Sequence, residues 1–550
     1  MKVIITFVLS FLTAQMLLSI PIIYTSEPTI KIFEKGDSKL IVYSNVPGLA
    51  PSEFYNIRVR SEATNNEWQS VFPLISRNLI KSLPPGTESR TGGTVGHYQK
   101  NTADWSHTYG NIEMNGKVEV EISTNPGVFI NGKEIYKATT HPSHKASEAK
   151  VLDGKVYFTI DKPAQIIIDI NGQMDDQKTG GDYKGPAIHT IALYANPIMD
   201  KPSIGASGVV VVNPGQKPPE DPNTYTTLYF APGIHDLGKN IKLHPNKNYY
   251  IPGDAIVYGT FNNFDLPSGK NIKLFGLGTI SGDHLMHPLY DDDHKVRNEP
   301  RENWKSISVK NSVNVEVIGI SISNCAEHSL NLQPESKGGY QGKKVTFVRW
   351  AKVVSWRANG DGIGSAQVVE DCFIRTSDDN SYIKGDRIRC TFWKDSNGAI
   401  FHMAGIPGDL SILIDDCDLL YNRNKNDNSL GGGIFVQRAN GKPGQQKVDV
   451  LVQNFRIHDL HPNARIFSLV SRFPNLKEDN RLGGVGSSYS GITFRNITAP
   501  VAFGKNNIIG CAEAPWNGGI TFENVVIGGK KLTSLKDFEV NEYVTDITFK

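Results

Sequence analysis

Three aspartates in a glycine- and asparagine-rich part of the chain could do acid–base chemistry. Asp361 stands in the sequence Asn-Gly-Asp-Gly and precedes Asp378 and Asp379 by 17 and 18 residues. Three carboxylates held close together cannot all ionise easily, so at least one pKa should rise and provide a proton donor. Cleavage of a glycosidic bond needs such an acid and a second carboxylate that activates water or attacks carbon.

The elements that would position these aspartates repeat along the chain at a drifting period. Similar strand-like phrases begin at Ala366, Arg387 and Leu410, which are 21 and 23 residues apart, and two Gly-Ile-Thr-Phe phrases are 28 residues apart. Such a period is typical of a solenoid whose coils differ in loop length. The regular leucine ladder of a leucine-rich repeat and the four-strand blocks of a propeller are missing.

The spacing of the aspartates corresponds to about one coil of this solenoid. Neighbouring coils would be separated by roughly 4.8 Å, the usual distance between paired strands, so Asp361 should lie beside Asp378 and Asp379 on one face. An isolated Asp-Asp pair is more often a solvated turn, because aspartate favours turns. Its place one coil after Asn-Gly-Asp-Gly favours a catalytic cluster instead.

Alternating strand patterns are found throughout the chain, and helical patterns are scarce. We predict an all-β protein in which an N-terminal β-sandwich at 26–212 precedes a right-handed parallel β-helix at 224–550. The proline-rich stretch at 213–223 is expected to be a linker. Lys2 followed by an apolar run predicts an export signal at 1–25 and a secreted protein, although an uncleaved membrane anchor is an alternative.

Composition limits the partners of this 550-residue chain. Its net charge is only +2 and no basic block stands out, which gives no support to a nucleic-acid partner. Five cysteines are present, so an exported chain keeps at least one free thiol, and we expect most of them to be buried core residues. No zinc-type spacing occurs, and we predict no metal, no cofactor and a monomer.

The second part of the chain resembles the polygalacturonase-type β-helix hydrolases, and more closely glycoside hydrolase family 49, the dextranase and isopullulanase family. Four phrases carry the resemblance over roughly 225–550: Tyr-Phe-Ala-Pro-Gly from Tyr229, Gly-Leu-Gly-Thr-Ile-Ser-Gly from Gly276, the two aspartate phrases, and Thr-Phe-Trp-Lys-Asp from Thr391. Singly these phrases are weak, but in this order they are fairly specific. Members of the family also begin with a β-sandwich.

The resemblance implies a role for each aspartate. Asp378 would be the general acid, while Asp361 and Asp379 would hold and activate the water, so that the anomeric carbon is inverted. We therefore expect a polysaccharide hydrolase, endo-acting and dextranase-like. Lys384 stands five residues after Asp379, further than in the family, and the family's N-terminal dextranase signature is missing. Both departures leave the sugar open.

Five further residues near the aspartates are candidates for substrate binding. Lys384 could bind a sugar hydroxyl, and His402 follows the aspartate pair by about one coil. Trp356, Tyr382 and Trp393 flank the aspartates in sequence, and sugar rings stack on aromatic faces. Each of the three could equally fill the solenoid core.

Other functions stay open at this stage. A hydrolase of polygalacturonate or of an algal galactan would use the same scaffold and the same carboxylates. A polysaccharide lyase would instead use a lysine or arginine base, often with calcium. A non-catalytic carbohydrate-binding protein would only offer a stacking groove.

Overall fold

The computed structural model describes most of the chain. The described residues are 29–79, 102, 104–174, 187–285, 300–335, 342–357, 359–395, 398–422, 433–437, 442–460, 464–471, 485–500 and 505–550. The export signal expected at 1–25 lies outside them. Within these ranges no helix is both long enough and apolar enough to cross a membrane.

The N-terminal part of the chain forms two facing sheets. The first contains Ile30–Lys35, Ser38–Tyr43, Leu74–Arg77, Ser106–Asn115, Ala138–His141, Ala164–Ile170 and His189–Asn196. The second contains Tyr55–Ser61, Gln69–Val71, Val118–Thr124, Lys150–Leu152 and Lys155–Ile160. In Tyr55–Ser61 every second side chain is buried, as a sheet with one covered face requires. Ile57, Val120 and Ile166 pack together between the sheets, so this part is a β-sandwich.

The remaining strands form a stack of coils. They are Val209–Val212, Thr227–Phe230, Gly233–Lys242, Asn248–Tyr250, Ala255–Asn262, Gly269–Phe275, Thr279–Ser281, Ile307–Ile318, Ser321–Ser323, Leu330–Pro334, Thr346–Arg349, Lys352–Ser355, Val368–Glu370, Phe373–Thr376, Ser381–Tyr382, Asp386–Ile388, Thr391–Lys394, Ala399–His402, Ser411–Asn422, Gly433–Gln437, Gly444–Ile457, Phe467–Val470, Ser487–Ala499, Asn507–Ile509, Trp516–Asn517, Ile520–Ile527, Lys530–Lys531, Glu539–Val540, Val544–Thr545 and Thr548–Phe549. The helices among the described residues are short 3₁₀ turns, at Glu62–Thr64, Ser143–Lys145, Pro222–Thr224, Arg301–Trp304 and Leu535–Asp537.

Each coil contributes strands to three faces, and each strand pairs in parallel with the strand one coil later. Representative pairs are Arg349 with Glu370 on the first face, Val353 with Ile374 on the second, and Ser381 with Phe401 on the third. Side chains that point inward stack along the axis: the rings of Phe401, Phe435 and Phe467 follow one another at 5.2 and 5.7 Å. This pairing makes the second part a parallel β-helix.

The β-helix begins earlier than the sequence predicts. Val209–Val212 was assigned to the sandwich, but it pairs in parallel with Thr227–Phe230, so the proline-rich stretch at 213–223 is a loop within the first coil. The four consecutive valines suit a strand because β-branched side chains fit a pleated surface. They give the first complete coil a neighbour to pair with.

The sandwich rests on the second face of the β-helix through a buried arginine. The guanidinium of Arg375 lies between two indole rings, 4.4 Å from Trp356 and 4.1 Å from Trp393. It donates to the hydroxyl of Thr190 in the sandwich at 2.8 Å and pairs with Asp395, also at 2.8 Å. Because buried charges persist only when they are paired and hydrogen-bonded, this arrangement fixes where the two parts meet.

All five cysteines are free and buried, as expected from the sequence. Cys372, Cys390 and Cys417 follow one another in successive coils. Each thiol lies against main-chain carbonyl groups, for example Cys372 against the carbonyl of Glu370 at 3.1 Å. They act as small core residues of the solenoid.

Candidate active site

The three aspartates lie where the second face of the coil turns into the third. Two main-chain hydrogen bonds align the segments that carry them: Gly362 donates to the carbonyl of Asp379 at 2.8 Å, and Asn380 donates to that of Ala399 at 2.9 Å. Ile363 then pairs with Ser381. The solenoid pairing therefore brings Asp361, one coil earlier, next to the Asp378–Asp379 segment.

Tyr382 joins two of the carboxylates through one hydroxyl. Its phenolic oxygen donates to Oδ2 of Asp361 at 2.8 Å and lies 3.3 Å from Oδ2 of Asp379. Burial, together with the neighbouring charges of Asp361 and Asp379, raises the pKa of Tyr382 well above its usual value. The phenol thus keeps its proton and remains a donor.

Asp361 has the most strongly perturbed acidity of the cluster. Its side chain is only 4% exposed. Burial raises the pKa of Asp361 to about 7, with further contributions from the charges of Asp379 and Glu327, while the hydrogen bond from Tyr382 opposes the rise. A carboxyl group that titrates near neutrality can both release and accept a proton near pH 7, as general acid–base chemistry requires.

Asp378 differs from the other two aspartates in being half-buried. One carboxylate oxygen accepts a hydrogen bond from the main-chain N–H of Asn359 at 3.1 Å, and the other accepts from the N–H of Asp379 at 2.9 Å. The carbonyl of Asp378 is held by the hydroxyl of Thr376 and the buried amine of Lys394. Asp378 is therefore fixed by its backbone, and as a residue it is less buried than Asp361 and Asp379.

Gly398 closes the third side of the cluster and leaves no room for a side chain. Its φ is +80°, and a Cβ atom built there would lie 2.7 Å from Oδ1 of Asp378 and 2.7 Å from Oδ1 of Asp379. Only glycine adopts this conformation without strain and lets the backbone approach so closely. Next to it, the N–H of Ala399 donates to Oδ1 of Asp379.

A second charged group borders the cluster and was not found from the sequence. Nε2 of His328 lies 3.5 Å from Oδ2 of Asp361. Nη2 of Arg301 lies 2.9 Å from the same His328 nitrogen and also bonds Glu327, whose side chain is fully buried. Because arginine can only donate, His328 accepts there and is neutral, in agreement with its pKa, which burial lowers to about 4.

The sequence does contain a signal for this group. Glu327 and His328 follow the strand Ser321–Ser323 after a short buried segment that contains Cys325 and Ala326. The coil that separates them from Asp361 contains a long insertion, so the 21- to 23-residue period does not reveal the register. The register between these two coils is revealed by the strand pairing of Leu330 with Ile363 in the structure.

His402 and Lys384 lie on the third face, in the two coils that follow Asp361. His402 is in register with Tyr382, and their rings are 4.9 Å apart. Nδ1 of His402 accepts from the N–H of Ala404 at 3.3 Å. The amine of Lys384 donates to the carbonyls of Ala404 and Gly405, and burial lowers its pKa to about 8. Lys384 therefore shapes the turn after His402.

The expectation that Trp356 and Trp393 offer stacking surfaces to a sugar is wrong. Both side chains are 0% exposed, because the sandwich covers the second face on which they stand. Nε1 of Trp356 donates to the hydroxyl of Ser76 in the sandwich at 3.1 Å, and both rings flank Arg375. They hold the two parts of the chain together.

The described residues show no group of three or more His, Cys, Asp or Glu side chains placed to hold a metal ion. Acid–base chemistry by the carboxylates is what this arrangement can do. Two buried carboxyl groups share a hydroxyl, one titrates near neutrality, and a third belongs to a less buried residue beside them.

No protein-family model and no curated protein matches the chain. Among solved structures, it is similar to Dex49A from Penicillium minioluteum, with a TM-score of 0.66, 16% identity, and coverage of 95% of this chain and 100% of that chain. The chain has the fold of Dex49A. Since the coverage includes both parts, the likeness agrees with the resemblance to family 49, to which that dextranase belongs.

Two polygalacturonases are more distant. The family 28 exopolygalacturonase of Yersinia enterocolitica has a TM-score of 0.39 at 11% identity, over 79% of this chain and 93% of that chain. The polygalacturonase of Erwinia carotovora ssp. carotovora has a TM-score of 0.39 at 13% identity, over 64% and 99%. At 16% identity the likeness to Dex49A concerns the fold alone.

Proposed function

We propose that this chain is a secreted polysaccharide hydrolase that cleaves glycosidic bonds with inversion, and that its substrate is an α-glucan of the dextran type. The observation that carries the proposal is the pair of buried carboxyl groups, Asp361 and Asp379, joined by the hydroxyl of Tyr382 beside the less buried Asp378. Hydrolysis needs a proton donor at the leaving oxygen and a carboxylate that activates water.

The proposal assigns the acid role to Asp378. Asp378 is the least buried of the three aspartates and would be the one that an incoming polymer reaches, while the backbone around it is held by Thr376 and Lys394. A general acid must meet the glycosidic oxygen directly, so access matters more for this role than for the others.

Asp361 and Asp379 would hold the attacking water between them. The hydrogen bond from Tyr382 favours the ionised form of Asp361 and thus supports a base. Burial works against ionisation, and the balance places the titration of Asp361 near neutral pH. Inversion follows if water enters on the face of the sugar opposite to Asp378.

The choice of an α-glucan rests on Dex49A, a dextranase whose fold this chain shares over 95% of its residues. A galacturonan or a sulfated galactan is the next candidate, on the same scaffold. His402 lies beside Tyr382 and in register with it, but it is only 3% exposed, so it would influence the choice of sugar through Tyr382 and not by direct contact.

The test is to incubate the purified protein with dextran, pullulan, galacturonan and sulfated galactans, and to measure reducing ends and ultraviolet absorbance together. We expect new reducing ends from dextran, no new ultraviolet absorbance, and no inhibition by a chelator. NMR of the first-formed anomer should show inversion. Unsaturated, absorbing products would mean a lyase and would overturn the proposal, and retention would make Asp361 or Asp379 a nucleophile.

A further inference from the structure

A left-handed residue marks the corner between the first and second faces in successive coils. In each coil it follows the residue that ends the paired strand of the first face. The residues with positive φ at this corner are Gly276, Gly319, Trp350, Asp371, Arg389, Asp416, Asn454, Asn496 and Asn524. The corner thus forms a continuous line along the solenoid.

Two residues in this line have side chains that make the left-handed backbone conformation unfavourable. Glycine, asparagine and aspartate tolerate the left-handed region, whereas a bulky side chain there is an outlier. Trp350 has φ +55° and Arg389 has φ +53°. A strained residue that persists where asparagine serves elsewhere in the same line points to a function for its side chain.

Trp350, Asp371 and Arg389 line one groove between the β-helix and the sandwich. The groove has a volume of about 510 Å³, within the range of small-molecule sites. Its opposite wall comes from the sandwich and includes Lys145 and Gln165. The two strained residues, Trp350 and Arg389, and the aspartate between them in the line therefore belong to the three consecutive coils that face this cavity.

The groove contains a buried acceptor without a partner among the described residues. The side chain of Gln165 is 4% exposed, and its amide nitrogen points to the carbonyl of Asp371 at 3.5 Å. Its oxygen Oε1 is buried and accepts no hydrogen bond there. Because this oxygen has almost no accessible surface, it belongs to the wall of the groove, and a saccharide there would meet the exposed side chains of the lining instead.

The polar groups around Trp350 suit vicinal hydroxyls. Arg389 forms a two-pronged pair with Asp371, at 2.7 and 2.8 Å, and the Arg389 side chain remains 45% exposed. This pair offers both donors and acceptors on one rim of the groove. The lining contains three cationic side chains, Lys145, Lys162 and Arg389, and two carboxylates, Asp161 and Asp371. The net charge of +1 is too small to select a polyanion.

We propose that this groove is a second saccharide-binding site, which holds a neutral oligosaccharide segment against the indole of Trp350, separate from the carboxylate cluster. Trp350 is half-buried and lines the groove, and aromatic side chains that are only partly buried can stack on sugar rings. The groove occupies the corner between the first and second faces, whereas the aspartates occupy the corner between the second and third. Its function is to retain the polymer on the protein, and it does not depend on which bond the aspartates cleave.

Affinity electrophoresis of the full chain in gels that contain dextran, pullulan, agarose or galacturonan tests this site. The Asp378→Asn protein is the parent, so that the gel polymer is not digested. We expect at least one neutral polysaccharide to retard the parent, and Trp350→Asn added to it to lose at least half of that retardation. Asparagine at 350 should leave the melting temperature unchanged or raise it, since the corner already uses asparagine at 454, 496 and 524.

Trp68→Ala in the same parent is the matched control. Trp68 is another half-buried tryptophan, on the sandwich and outside the groove; we expect its loss to leave the retardation unchanged. Equal retardation of the parent and the Trp350→Asn protein in every gel would overturn the proposal, as would a Trp350-dependent effect confined to galacturonan. If the Trp350→Asn protein lost retardation and also melted at a lower temperature than the parent, the proposal would likewise be overturned. These outcomes do not depend on whether the protein hydrolyses any polymer.

Discussion

The hydroxyl of Tyr382 donates to Oδ2 of Asp361 over 2.8 Å while it also lies 3.3 Å from Oδ2 of Asp379. One phenol therefore controls how two buried carboxyl groups share their protons. The arrangement explains how a carboxyl group that burial pushes towards neutrality can still supply a carboxylate near pH 7.

Tyr382→Phe should shift the pH dependence of hydrolysis. Loss of the hydroxyl removes an interaction that lowers the pKa of Asp361, so that pKa should rise further. The acidic limb of kcat/KM should then move to higher pH by about one unit or more, given the usual strength of a hydrogen bond to a charged group. A pH–rate profile of both proteins measures this, with Tyr136→Phe, at an exposed tyrosine, as the control. An unmoved limb would show that ionisation of Asp361 does not limit the rate.

Asp361→Asn should make stability less dependent on pH. The pKa of Asp361 is about 7 in the folded chain and roughly 3.9 in an unfolded one, so the folded state binds more protons between those values. The contribution of Asp361 to the free energy of unfolding is therefore fully present below about pH 4, and it is lost as the pH rises through 7. The variant should be more stable than the parent at pH 8, by on the order of 2–4 kcal/mol, and not at pH 4.

Thermal unfolding at both pH values measures that difference. Asp153→Asn is the control, because Asp153 is exposed on a turn of the sandwich and its left-handed conformation suits asparagine. A variant whose advantage is the same at both pH values would contradict the elevated pKa of Asp361.

Asp378→Asn should abolish turnover and keep substrate binding. Loss of a general acid costs ~10²–10⁴-fold in rate, while the amide retains the shape of the side chain. Initial rates and equilibrium binding of a resistant oligosaccharide measure the two effects. A variant that retains more than about a tenth of the parent rate would remove Asp378 from the acid role.

Gly398→Ala should inactivate the protein beyond any loss of stability. A methyl group at this position would meet the carboxyl groups of Asp378 and Asp379 at 2.7 Å, and the backbone φ of +80° adds strain. Gly127→Ala is the matched control: Gly127 has the same φ of +80° but no atom within 4 Å of its added Cβ.

Both substitutions should cost roughly 1–2 kcal/mol of stability through the left-handed backbone. Only Gly398→Ala should also lower kcat, by about tenfold or more, because it displaces the carboxyl groups that we propose to be catalytic. Melting temperatures and kcat of both variants separate these effects. Equal activity of the two would mean that the carboxylates tolerate displacement.

The pattern of the sequence was sufficient to predict the local features of this protein. Alternating strands, a drifting repeat and scarce helical patterns predict an all-β chain with a solenoid, and the structure has both. Five cysteines beside strand-like runs predict buried thiols, which are present. The spacing of Asp361 from Asp378 and Asp379 predicts neighbouring positions because it equals one coil.

Only the tertiary structure decided which outward-facing residues reach solvent. Alternation shows that Trp356 and Trp393 point away from the solenoid interior, but it does not show that a sandwich covers that face. Glu327 and His328 were not predicted because an insertion makes the coil between them and Asp361 longer than the 21- to 23-residue period. Register across such an insertion is set by strand pairing, a long-range interaction that local residue patterns do not encode.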